Sequence, residues 1–127
     1  PMVDKEPLKK WSFGRATLLG DAAHPMYPRG SNGAGQAIID ARILADNLSF
    51  EPDEVAAFLK YEKERLPKTT AIDQANRTNP PDAILREIYE RSGDKPFKSM
   101  TDIITKDELY ELSDQYKKIA GFQVSMT

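Results

Sequence analysis

Ala16-Thr17-Leu18-Leu19-Gly20-Asp21 is the stretch that decides the fold, a short apolar run that stops at a glycine followed by an acid. A run of this length bounded by turn residues is typical of a buried parallel strand, although five residues do not exclude a turn of helix. Residues 21–35 are dense in Gly, Pro, Ser and Asn, which predicts a loop. A helical pattern follows this loop, so we expect a mainly α chain with a short β element.

A helix is predicted to begin near Gly33, because apolar residues recur from there at every third or fourth position. They form one stripe with three further apolar residues beside it: Ala34, Ala37, Ile38, Ala41, Ala45 and Leu48, widened by Ile39, Ile43 and Leu44. So broad an apolar surface predicts a central helix that is covered on more than one side.

Two further helices are predicted between residues 52 and 93. The first begins near Pro52, and Pro67 is expected to kink or end it, leaving residues 68–78 to resume as helix. Its apolar face consists of Val55, Phe58, Leu59 and Leu66. The second covers residues 83–91 and is closed by Gly93.

The last predicted helix has the clearest start. Thr105 and Glu108 have the spacing of a capping box, in which each side chain bonds the backbone N–H of the other residue. Gly121 is the predicted stop. The apolar stripe between them consists of Leu109, Leu112, Tyr116 and Ile119.

The composition excludes several classes of function. Lys and Arg number 18 against 20 for Asp and Glu, so no basic surface is expected to attract nucleic acid. No apolar run is long enough to span a membrane, and we expect a cytoplasmic location. There is no Cys and one His, which excludes thiol chemistry and makes a metal site improbable.

The loop at residues 20–35 has the residues of a ligand site. Asp21, at the end of a strand, could accept hydrogen bonds from two sugar-like hydroxyls. The backbone at Gly30, Gly33 and Gly35 has no side chain and could approach a flat ligand closely. A helix that begins there offers unpaired N–H groups and partial positive charge to an electron-rich atom.

Two familiar phosphate-binding loops do not match. Walker A needs Gly-Lys-Ser/Thr, which does not occur in the chain. The dinucleotide fingerprint needs a third glycine, and this sequence has Ile38 at that position. From the residues alone, a binding loop and a plain strand-to-helix connection both stay open.

A longer resemblance to a known protein family favours the binding loop. Residues 14–25, G-R-A-T-L-L-G-D-A-A-H-P, resemble the G-R-x-x-L-x-G-D-A-A-H segment of class A flavoprotein monooxygenases, which include the para-hydroxybenzoate, salicylate and phenazine hydroxylases. The similarity continues through residues 28–37 to Asp40 and Leu44. It also reaches back to D-K-E-P at residues 4–7 and to Trp11, with Lys where the family has Arg.

This resemblance implies FAD as the cofactor and an FAD site that includes Gly20, Asp21, Pro28, Gly30, Gly33 and Ala34. Asp21 would hold a ribityl hydroxyl, and Pro28 would lie beside the isoalloxazine ring. The amides of Gly33 and Ala34 would donate to the flavin pyrimidine oxygen. The oxygen chemistry belongs to the flavin, so the resemblance implies no catalytic residue in this chain and a structural role for His24.

The resemblance also implies a division of the chain. Residues 1–48 would be the C-terminal portion of an α/β, Rossmann-like FAD-binding domain, and residues 49–127 a helical C-terminal region. The parent would be an NADH- or NADPH-dependent enzyme that hydroxylates a small aromatic substrate. We expect the chain to be a fragment of that parent, to be inactive alone and to self-associate.

Two other readings stay open. One is a helical interaction module that retains the flavin loop as a relic. The other is a different flavoenzyme of the same superfamily, such as a halogenase or a ubiquinone-pathway hydroxylase.

Overall fold

The computed structural model describes residues 4–78 and 82–120, with only the backbone of Ala120. These residues form two strands and four helices: β1 (Ser12–Phe13), β2 (Ala16–Thr17), α1 (Gly33–Phe50), α2 (Glu54–Thr78), α3 (Ala83–Ser92) and α4 (Lys106–Ala120). Three 3-10 turns accompany them: Gly20–Ala22, Pro28–Gly30 and Met100–Asp102. The predicted mainly α class with a short β element is confirmed. The predicted stop at Gly121 lies outside the described residues.

The β element is an antiparallel hairpin, so the predicted buried parallel strand is wrong. β1 pairs with β2 through Ser12 opposite Thr17 and Phe13 opposite Ala16. Gly14, with a φ of +60°, allows the chain to turn back within two residues. The nearest partner for the apolar run is therefore the segment immediately before it, and Leu19 lies beyond the strand with its side chain exposed.

Helix α1 has the predicted apolar period, but most of the predicted stripe faces away from the core, whereas Ile43 and Leu44 beside it pack against the core. The stripe that includes Ala34, Ile38 and Leu48 is exposed, and Ile38 has 71% of its surface accessible. The buried residues of the helix are Gln36 and Asp40. The expectation that the apolar stripe is covered is wrong for the described residues. Pairing of Asp40 with α2 explains the difference, because a charge is buried only where it is paired.

Helix α2 packs along α1 and continues through Pro67, so the predicted helix end is wrong. Pro67 lies on the exposed side, where water can bond the carbonyl that loses its partner. Of the predicted apolar face, Val55, Phe58 and Leu66 are partly buried, whereas Leu59 is exposed. The buried line of the helix repeats mainly every four residues and consists of Ala57, Tyr61, Arg65, Thr69, Ile72, Asp73, Ala75 and Asn76.

The main core lies between the hairpin and these two helices. Trp11, Ala23 and Tyr61 are buried together. Partly buried apolar side chains pack around them: Leu8, Leu18, Ile43, Leu44 and Leu66. This core holds the loop after β2 against α1 and α2.

Helix α3 ends and helix α4 begins as the sequence predicts. Gly93 closes α3 in the left-handed conformation, with a φ of +60°. Glu108 accepts the backbone N–H of Thr105 at 2.8 Å, and Thr105 Oγ1 accepts that of Glu108 at 3.2 Å, which confirms the capping box. Within the predicted apolar stripe of α4, Tyr116 is buried against Ala75, whereas Ile119 is exposed.

Within residues 4–78 and 82–120, no helix combines the length and apolar character that a membrane crossing requires.

Candidate functional site

The loop between β2 and α1 begins with the 3-10 turn Gly20–Ala22, which exposes the side chain of Asp21. Gly20 has a φ of +60°, and a β-carbon there would lie 3.2 Å from Ala37 Cβ. Glycine is therefore required both by the turn and by close packing on α1. A β-carbon on Gly33 would lie 3.6 Å from Asp21 Oδ1. The structure thus brings Gly20, Asp21 and Gly33 together.

Helix α1 begins without a side-chain cap. Asn32, the residue before Gly33, makes no capping hydrogen bond to the first turn. Its buried side chain instead donates from Nδ2 to the hydroxyl of Tyr116. Ala34 is exposed and the first turn contains no acidic residue. The backbone N–H groups at the start of α1 therefore lie beside the carboxylate of Asp21. Hydrogen-bond donors and an acceptor are adjacent at this point of the surface.

A buried polar cluster holds the loop to the two long helices. Asp40 Oδ2 lies 2.5 Å from His24 Nε2 and accepts the backbone N–H of Gly20 at 3.3 Å. Asp40 Oδ1 accepts from Arg65 Nε at 2.6 Å. A second nitrogen of Arg65 donates to Gln36 Oε1 at 2.6 Å. Asp40 therefore connects both ends of the turn at residues 20–24 to α1 and α2.

The cluster keeps Asp40 ionised. Burial raises the pKa of this carboxyl, but hydrogen bonds from His24 and Arg65 outweigh burial and hold the pKa below its ordinary value. Removal of either partner would leave a charge that is buried and incompletely paired. The geometry gives His24 a structural contact with Asp40, in agreement with the role that the resemblance implies.

Sequence reasoning gave no role to Gln36, Asp40 or Arg65. A signal was present, because Gln36 and Asp40 are polar residues four positions apart in an otherwise apolar stretch. Residues at that spacing lie on one face of a helix and predict a polar contact there. The partner Arg65 has no comparable signal, since α2 contains many charged residues.

The second half of the loop packs against α2 and α4. Pro28 begins the turn Pro28–Gly30 and is exposed. A β-carbon on Gly30 would overlap the Tyr116 hydroxyl and lie 2.5 Å from Asn76 Oδ1. Packing is therefore one sufficient reason for a glycine at this position. A cofactor contact by Gly30 stays a prediction.

Comparison with known proteins identifies related sequences. A family model described as "FAD binding domain" matches residues 3–76. A phenazine 1,6-dicarboxylic acid hydroxylase of Lysobacter antibioticus is 62% identical over 77 residues, which are 61% of this chain and 19% of that protein. A 3-hydroxybenzoate 6-hydroxylase of Aquipseudomonas alcaligenes is 45% identical over 76 residues, 60% of this chain and 19% of that protein.

A third relative is named after a nicotinate, whereas the first two are named after a phenazine and a benzoate. A 6-hydroxynicotinate 3-monooxygenase of Bordetella bronchiseptica is 40% identical over 83 residues, 62% of this chain and 21% of that protein. The chain therefore spans about a fifth of the length of the curated relatives it matches. The family match includes β1, β2, α1 and most of α2, and α3 and α4 lie outside it.

Proposed function

Because this chain belongs to the FAD-binding domain family, we propose that it forms the flavin-ring end of the cofactor site in an NAD(P)H-dependent monooxygenase that hydroxylates a small aromatic compound. Family membership confirms FAD as the cofactor class that the resemblance implied. The hydroxylase and monooxygenase names of the relatives support the type of reaction.

One observation carries the proposal. The exposed carboxylate of Asp21 lies beside Gly33, at the start of a helix whose first turn has no side-chain cap. A flavin with its ribityl chain presents hydroxyl donors next to ring oxygens that accept hydrogen bonds. The Asp21 carboxylate can accept from the hydroxyl donors, and the amides at the start of α1 can donate to the neighbouring ring oxygens.

Asp21 is proposed to accept a hydrogen bond from a ribityl hydroxyl. The side chain is exposed and its neighbour Gly33 has no side chain, so a ligand can reach the carboxylate from the side of α1. Gly20 contributes the turn that presents Asp21, since its φ of +60° favours glycine.

Gly33 and Ala34 are proposed to bind the ring. Their backbone N–H groups belong to the first turn of α1, which has partial positive charge. A bound flavin supplies the redox and oxygen chemistry, and its pyrimidine ring gains negative charge on reduction. The helix start would stabilise that charge without any side chain of this chain transferring a proton.

Pro28 and Gly30 complete the proposed cofactor contacts. Pro28 is exposed at the start of its turn and is proposed to lie beside the isoalloxazine ring. Gly30 packs against Tyr116 and would contribute through its backbone. None of the proposed residues is catalytic in the sense of donating or accepting a proton.

Several finer statements belong to the same proposal. Residues 1–48 would form the C-terminal portion of a Rossmann-like FAD-binding domain, and residues 49–127 a helical region. NADH or NADPH would be the reductant, and the location would be the cytoplasm. The chain by itself would be inactive, because its described residues include no loop of the kind that binds the pyrophosphate of FAD.

The proposal is tested by measuring the FAD affinity of the Asp21→Ala variant of the proposed parent enzyme. Asp46→Ala in the same enzyme is the control. Loss of a charge-assisted hydrogen bond worth about 1.5–3 kcal/mol should weaken FAD binding roughly ten- to a hundredfold. Asp46 lies on α1, is paired only with exposed Arg42 in the described contacts and should have no effect. Equal FAD dissociation constants for Asp21→Ala and wild type would contradict the proposal.

A further inference from the structure

Three buried side chains carry polar atoms without a hydrogen-bond partner among the described residues. These atoms are Trp11 Nε1, His24 Nδ1 and both carboxylate oxygens of Asp73. The three residues are 1%, 6% and 3% exposed. Asp73 Oδ2 lies 3.2 Å from a nitrogen of Arg77, an ion-pair contact that is not aligned as a hydrogen bond. Buried polar groups are rarely left without a partner in folded proteins.

All three side chains line the same small cavity. Its volume is about 10 Å³, and Thr69 and Lys5 also border it. A volume of roughly 10–15 Å³ is what one water molecule needs, together with two to four polar partners. The cavity therefore has the size and the number of polar groups for a single water.

The chemistry of the lining restricts the occupant further. The Trp11 indole N–H is a donor only, so the occupant must accept a hydrogen bond. A metal cation or the Lys5 ammonium cannot accept one. An anion would meet the carboxylate of Asp73, and like charges at close range repel. A small neutral molecule that both donates and accepts meets every requirement, and water is that molecule.

We propose that this cavity is the binding site of one buried water, which accepts from Trp11 Nε1–H and donates to His24 Nδ1 and to the Asp73 carboxylate. The indole donor then has an acceptor, and the imidazole nitrogen and the carboxylate each have a donor. The proposal also determines the tautomer of His24. With Nδ1 accepting from water, the ring proton lies on Nε2 and is donated to Asp40, 2.5 Å away.

The water would give His24 a second contact on the side opposite Asp40. Trp11 precedes the hairpin, His24 follows the turn Gly20–Ala22, and Asp73 belongs to α2. One water would therefore connect three segments that are distant in the chain. His24 is a positioning residue in this arrangement, because its ring joins Asp40 to the water and transfers no proton.

The chain offers a direct test because it contains one Trp and one His. Nitrogen-15 labelling gives one indole signal and one pair of imidazole signals in the NMR spectrum, without assignment ambiguity. We expect the imidazole proton of His24 on Nε2, with Nδ1 accepting a hydrogen bond. We also expect magnetisation transfer between the Trp11 N–H and a long-lived water. A proton on Nδ1, or an indole N–H without contact to such a water, would overturn the proposal.

Two variants make the test specific. Asp73→Leu removes the carboxylate and fills the cavity, so the water contact of the Trp11 N–H should be lost. Gln74→Leu changes the exposed neighbour on the same helix and should leave that contact unchanged. Persistence of the contact in Asp73→Leu would exclude the proposed site. If Asp73→Leu does not fold, the wild-type tautomer and water contact decide the question alone.

Discussion

Tyr116 accepts a hydrogen bond at its hydroxyl from the side chain of Asn32, the residue that precedes α1, across 84 positions of the chain. The same hydroxyl donates to Asn76 Oδ1 at 2.7 Å. Helix α4, which lies outside the family match, is therefore bonded to the residue immediately before the proposed flavin-binding helix. Asn32 makes no side-chain cap to α1, so its side chain does not occupy the amides of the first turn.

Loss of the Tyr116 hydroxyl should destabilise the chain. Tyr116→Phe keeps the ring and leaves the side chains of Asn32 and Asn76 without this partner, at a cost of about 1–3 kcal/mol in the free energy of unfolding. Denaturant unfolding measures the change. Tyr110→Phe on the same helix is the control, because that side chain is 73% exposed and should change stability little. Equal effects of the two variants would contradict the assigned role of Tyr116.

Gly30→Ala should also be destabilising, because its methyl group would overlap the Tyr116 hydroxyl. Overpacking of this kind costs roughly 1–3 kcal/mol. A double-mutant cycle with Tyr116→Phe tests the cause, since removal of the hydroxyl should recover part of that loss. Strict additivity of the two changes would show that Gly30 is required for another reason.

The ion pair of Asp40 should make stability depend on acid pH. The pKa of Asp40 in the folded chain lies below its ordinary value of 3.8, so its contribution is present above that pH. The contribution is lost as the pH falls through the folded pKa. We expect the free energy of unfolding to decrease in that acid range.

Asp40→Asn tests this dependence. The variant removes the negative charge that pairs with buried Arg65 and should lose roughly 3–5 kcal/mol at pH 7, with a flatter acid dependence. Asp46→Asn, at an exposed pair, should follow the wild type. An unchanged acid profile in Asp40→Asn would assign the pH dependence to other carboxyls.

The chain by itself should not retain FAD. Its proposed contacts reach the ribityl chain and the ring, and the pyrophosphate contacts are not among its described residues. We expect colourless protein after gel filtration with micromolar FAD. Yellow protein with stoichiometric FAD would show that this end of the site is sufficient for binding.

The exposed stripe of α1 should drive self-association. Ala34, Ile38, Ala41, Ala45 and Leu48 are all exposed and recur on one face. Apolar patches of this kind favour association, here with a second copy of the chain. Light scattering should report a dimer or larger species, and Ile38→Asp should shift it toward the monomer. Arg42→Ala, on the same helix, is the control, and a monomeric wild type at high concentration would refute the prediction.

The sequence by itself determined the local features. The capping box at Thr105 and Glu108 and the glycine stop at Gly93 depend on residues a few positions apart, so their geometry follows from short-range bonding. The start of α1 at Gly33 follows from the apolar periodicity that begins there. The cofactor class came from the long resemblance around Gly20 and Asp21, which the family match confirms.

Only the tertiary structure decided which helix faces are buried and which side chains meet across the chain. Periodicity separates an apolar face from a polar one, but the buried face of α1 depends on Arg65, 25 positions beyond Asp40. The contact between Asn32 and Tyr116 likewise requires α4 to pack on the loop. Such partners are distant in sequence, and the free energy of pairing buried polar groups exists only once the helices have come together.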